Sequence, residues 1–156
     1  MLKKYSDILK KVYYLADKRH NEYIAESKEK YNGKSFVDLC EVTDFNDTSG
    51  LMELLLSQDM DTIKVIQTVM YIGRDYMPET EDEYYERIEN NHNDPENTTP
   101  EPILQCDEPE KLLQSWLSGS NGVSEWKDKY TEAEQINQKM PLDRYLQRAF
   151  IILGMD

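Results

Sequence analysis

Asp59-Met60-Asp61-Thr62-Ile63-Lys64-Val65-Ile66-Gln67-Thr68-Val69-Met70-Tyr71-Ile72-Gly73-Arg74-Asp75 is the most apolar stretch of the chain, and its reading decides the fold. Two rows, Ile63, Ile66, Met70 and Val65, Val69, Ile72, keep the three-to-four spacing of a helix. They cover more than one stripe, so neighbours should touch this helix from two sides. Asp59 and Asp61 stand where the positive end of a helix dipole favours carboxylates. Gly73 is the expected stop, since glycine takes the left-handed conformation past a helix end without steric cost. The rival is a buried strand, because many of these residues are β-branched. The run is too long for a usual strand, and its neighbours also read as helices. The expected fold is all-α, a compact multi-helix domain around this central helix.

Upstream, Leu2, Tyr5, Ile8, Leu9, Val12, Leu15, Ala16 and Tyr23 mark one face of a helix running to about Lys30, with Asn32-Gly33 as its end. Lys3, Lys4, Lys10, Lys11, Lys18 and Arg19 are expected on its outer, solvated face. Residues 1–34 hold nine basic against five acidic residues, the only positive part of the chain. Ser35 can cap a short helix with Phe36, Leu39 and Val42. Asp44 to Gly50 is loop-like and superficially resembles a calcium loop. An EF-hand needs Gly at its sixth position and Glu at its twelfth, and here those positions hold Ser49 and Leu55. A loop leading into a helix over Leu51, Met52, Leu54, Leu55 and Leu56, laid on the central helix, fits better.

Downstream of Gly73 the composition changes. Residues 74–110 hold thirteen acidic and two basic residues, net −11, and five of the six prolines. Thr80-Glu81-Asp82-Glu83 is a capping box opening a helix with Tyr84, Tyr85 and Ile88 inward. Asn90 to Pro102 reads as loop. Asp107-Glu108-Pro109-Glu110 opens a helix carrying Leu112, Leu113, Trp116 and Leu117 and ending at Gly119. Ser124 is the expected cap of the next, whose face is Trp126, Tyr130, Ala133 and Ile136. Pro141 starts the last, with Leu142, Tyr145, Leu146, Ala149, Phe150 and Leu153 inward and Gly154 as stop.

At 156 residues the chain suits a single helical domain over 1–156, with 74–110 an acidic, Pro-rich insertion. Its net charge of −13 argues against direct contact with nucleic acid or anionic membrane and for a basic protein partner. No apolar run suits a membrane span or a signal core, so a cytoplasmic location is the default. Cys40 and Cys106 are too few and too far apart for a disulfide scaffold or a metal-binding spacing, and both read as reduced thiols. His20 and His92 have no Cys, Asp or Glu at ligand spacing, and no phosphate loop or nucleophile elbow occurs. The expectation is therefore a protein without enzymatic activity, cofactor or metal. Arg74 with Asp75 is the best isolated polar pair, read as a helix-end ion pair with a ligand contact as the alternative.

Ile8-Leu9-Lys10-Lys11-Val12-Tyr13-Tyr14-Leu15-Ala16, Tyr71-Ile72-Gly73-Arg74-Asp75-Tyr76, and Met140-Pro141-Leu142-Asp143-Arg144-Tyr145-Leu146 with Gly154 together resemble a bacterial family of small helical domains of unknown function. The resemblance spans about half the chain and rests on motifs of low specificity. The glycine that usually follows the arginine is missing here, and residues 74–110 lie outside the family pattern. An all-α fold is what it implies, with no activity to transfer.

Tyrosines among carboxylates are what a protein-binding surface looks like, aromatics giving contact area and acids giving steering. The candidate partner-binding residues are Glu79, Glu81, Asp82, Glu83, Tyr84, Glu86, Glu89, Asp94 and Glu96. By analogy of size and charge, the specific form is an inhibitor that imitates a phosphate backbone and occupies the channel of a nucleic-acid-binding enzyme, as phage countermeasures against CRISPR effectors do. An immunity protein or antitoxin against a basic toxin is the alternative, and a small ligand-binding domain beside Arg74 is another. Neither the oligomeric state nor the partner's identity follows from the sequence.

Overall fold

The computed structural model describes residues 1–30, 47–92, 103–119 and 125–155. The expected end at Asn32-Gly33, the short helix after Ser35, the reduced state of Cys40, and residues 93–102 of the loop expected from Asn90 to Pro102, with Asp94 and Glu96, lie outside them. Asn90 to His92, expected in that loop, continue the helix begun at Glu81. Among the described residues the chain forms seven helices: α1 (Leu2–Lys30), α2 (Leu51–Leu56), α3 (Met60–Asp75), α4 (Glu81–His92), α5 (Pro109–Leu117), α6 (Lys129–Asn137) and α7 (Leu142–Ile152).

The central helix is α3. Asp59 caps it, accepting from the Thr62 amide at 2.8 Å. Ile63, Ile66, Val69, Met70 and Ile72 are fully buried. Contact comes from several sides, since α1, α5, α6 and α7 all pack on it, α7 most extensively. Such all-round burial is why both apolar rows are needed.

Gly73 does not stop α3, which continues to Asp75 with Tyr76 as its cap. Its backbone lacks the positive φ of Gly50, Gly119 and Gly154. Instead it is buried where α3 meets α7, and a methyl group there would overlap the Tyr145 carbonyl. Glycine is present to let two helix backbones approach, a use distinct from capping. Gly119 and Gly154, with φ of 89° and 67°, do end their helices.

Three other expectations are corrected by helical phase. Arg19 faces inward, 2% exposed, because it continues the buried row Leu9, Val12, Ala16. Tyr85 and Tyr130 point outward, each 58% exposed: Tyr85 lies about 100° round the helix from the half-buried Tyr84, and Tyr130 stands in the first turn of its helix at the edge of the stripe that buries Ala133 and Ile136. Helix α2 packs chiefly on α1 and α6 rather than on the central helix. Asp128, not Ser124, caps α6, accepting from the Thr131 amide at 2.8 Å, so the helix starts later than expected and Trp126 precedes it. Pro141 stands at the start of α7 as expected.

The hydrogen bonds from Thr62 and Thr131 hold Asp59 and Asp128 below the usual carboxylate range. A carboxylate whose pKa is lower folded than unfolded stabilises above the unfolded value, and that contribution disappears as pH falls through the folded one. The melting temperature is thus expected to drop on acidification below the ordinary Asp range. In Asp59→Asn/Asp128→Asn, which keeps an acceptor oxygen but cannot titrate, the drop should be shallower in thermal melts across pH.

Candidate functional site

Helix α4 carries six of the expected partner-binding residues, Glu81, Asp82, Glu83, Tyr84, Glu86 and Glu89, while Glu79 precedes it. Thr80 opens it, its hydroxyl accepting from the Glu83 amide at 3.2 Å. Glu81, Asp82, Glu83, Glu86 and Glu89 are exposed, and Tyr85 stands among them. Tyr84 is half-buried, edge-on to Tyr85 with ring centres 5.6 Å apart. The helix takes no part in the extensive packing that joins the other six.

Glu79 differs from its acidic neighbours. Its carboxylate accepts from Arg87 Nε at 3.0 Å and from an Arg87 terminal nitrogen at 2.7 Å, and its side chain is 10% exposed. A neutralised, covered carboxylate adds little to long-range steering, so Glu79 anchors α4 instead. The Arg87 guanidinium also lies 5.4 Å from the Tyr84 ring centre.

Arg74 is held twice over. It donates to both Asp75 oxygens at 2.9 Å and sits 4.5 Å above the Tyr71 ring. The Asp75 hydrogen bond raises its pKa above the usual value. A ligand at Arg74 would have to displace a bidentate intrachain pair.

Two arrangements escaped sequence reading. Arg19 donates to the Asn137 and Lys139 carbonyls at 2.6 and 2.8 Å and to the Asn137 side chain at 3.0 Å, with Asp47 at 3.6 Å. It clasps the C-terminal end of α6, where carbonyls lack helical partners and a cation is favoured. Burial pushes its pKa down, against the opposing pull of Asp47. Next to it, His20 Nδ1 lies 3.1 Å from Asp143 Oδ1. That histidine does meet a carboxylate, across the fold rather than along the chain. Among the described residues no group of three or more His, Cys, Asp or Glu is placed to hold a metal ion.

The other arrangement is a pocket of about 140 Å³ between the start of α4, the segment before α5, and α7. Met77, Pro78, Ile103 and Leu104 give it apolar walls, and Glu79, Tyr84, Arg87 and Arg148 its polar groups. Arg148 is fixed by donating to the Gly73 carbonyl at 2.9 Å, and partial burial lowers its pKa. In sequence its only signal is an arginine bordering the buried stripe of α7.

Compared with family models, with curated proteins and with solved structures, the chain finds no match in any of the three. Among the described residues no helix is long and apolar enough to cross a membrane.

Proposed function

We propose that this chain is a non-enzymatic binding module whose α4 presents an acidic face to a basic protein surface. The supporting observation is the exposure of Glu81, Asp82, Glu83, Glu86, Glu89 and Tyr85 on a helix that the core packing does not use. A helix of this length spans roughly 18 Å. Neighbouring carboxylates along it lie within the ~8 Å screening length of physiological salt, so their fields add toward an approaching cationic surface. Tyr85 supplies amphipathic contact area at the centre of the acids.

In its specific form the protein is a decoy that occupies a basic nucleic-acid channel of an enzyme. An immunity protein against a basic toxin would use the same face, and nucleic-acid competition separates the two. The partner is obtained by affinity capture from the native host, and association is then followed by stopped flow at several salt concentrations. Association should slow as salt rises. Glu81→Lys, Asp82→Lys, Glu83→Lys and Glu86→Lys combined should slow it by at least about tenfold while the melting temperature stays near that of the parent. A salt-independent rate, unchanged by the four reversals, would overturn the acidic-face reading. A ternary complex with nucleic acid still seated in its channel would overturn the decoy form alone.

A further inference from the structure

The pocket beside α4 has a charge opposite to that of the protein as a whole. Glu79 is engaged by Arg87, so those two charges offset one another. Arg148 then remains as a half-buried cation on the wall, and no carboxylate pairs with it among the described residues. The nearby Asp75 is held by both of its oxygens on Arg74. Arg148 uses one N–H on Gly73, which fixes the guanidinium plane and leaves further donors for an acceptor.

The rest of the lining is apolar and accessible. Met77, Ile103 and Leu104 are 39%, 37% and 38% exposed, and all three line this one pocket. A cavity of this size takes a body about as large as a benzene ring. A fixed cation facing the apolar Met77, Ile103 and Leu104 wall of a small, otherwise polar pocket suits a ligand with one carboxylate and a compact apolar body.

We infer that the pocket between Arg148, Tyr84 and the Met77–Ile103–Leu104 walls is a binding site for a monocarboxylate with a compact apolar body. The carboxylate sits on the Arg148 fork, and the apolar part lies against Ile103 and Leu104. Such a group comes from a free organic acid or from the C-terminal residue of a partner polypeptide. This inference is independent of the acidic-face reading, because none of the four reversed positions lines the pocket.

The test follows the Arg148 Nε–H and the Ile103 and Leu104 methyl resonances by NMR in the full chain. The probes are benzoate, benzamide, a short peptide ending in leucine with a free carboxylate, and the same peptide amidated. Benzoate or the free-acid peptide should shift all three sets of resonances, each binding at least about tenfold more tightly than its amide. A response to benzoate alone assigns a small acid, and one to the peptide alone assigns a polypeptide terminus. Leu104→Trp, which fills the chamber at an already exposed position, should abolish the shifts, and Arg148→Lys should weaken binding while keeping the charge. Equal binding of acid and amide, shifts that survive Leu104→Trp, or no shift with millimolar amounts of either acid would overturn the assignment.

Discussion

Gly73→Ala is expected to destabilise the protein by about 3 kcal/mol or more, although alanine is the better helix former. The added methyl would meet the Tyr145 carbonyl and carbon and then the Ala149 side chain. Backbone cannot turn aside as a flexible side chain can, so α3 and α7 would have to separate along the most extensive helix pair of the fold. Alanine's helix propensity returns about 1 kcal/mol, which is smaller than the overpacking cost. Arg148, which donates to the Gly73 carbonyl, would lose its register as well. A thermal melt should show a drop of roughly 10 °C for a chain of this size. An unchanged or raised melting temperature would mean that the two backbones are not in contact at Gly73.

Ile66→Asp should have the larger effect and prevent stable folding. Ile66 is fully buried among Ile63, Val69 and Met70 on the face of α3 that the neighbouring helices cover. A carboxylate there loses its water without gaining a partner, at a cost of several kcal/mol beyond the lost apolar contacts. Small domains are stable by about 5–15 kcal/mol in all, so the variant should lose its cooperative melt and its dispersed NMR spectrum. A variant melting like its parent would contradict the central position of α3.

Local rules made much of the fold legible. Asp59, Pro109, Pro141, Gly119 and Gly154 mark helix ends through chemistry within a few residues, so the boundaries they imply hold in the structure. Gly73 was misleading because a glycine at a helix end and one at a helix crossing look alike along the chain. Tyr145, which makes the difference, belongs to another element. Arg19 was legible by phase and masked by residue type: it repeats the Leu9–Val12–Ala16 spacing, yet charge suggested solvent. What draws it in is the pair of carbonyls at Asn137 and Lys139, at and just past the end of a distant helix. Along the chain Glu79 is indistinguishable from the acids that follow it, and what sets it apart is Arg87, two turns into the next helix, which covers it. The Arg148 pocket draws on three separated segments, so no window of sequence contains it.

The core and the acidic face are therefore carried by different elements, and native-state hydrogen exchange tests that division most directly. The amides of Ile66 to Ile72 in α3 and of Leu146 to Ile152 in α7 should exchange slowest, through global unfolding. Those of Tyr84 to Glu89 in α4 should exchange orders of magnitude faster through local opening, since α4 makes no extensive contact with the other helices and its Arg87 pairs with Glu79 of the adjoining segment. The four charge reversals should leave the α3 and α7 rates unchanged. If α4 amides exchanged as slowly as those of α3, or if the reversals speeded exchange in both helices together, the acidic helix would belong to the core and its separate role would be contradicted.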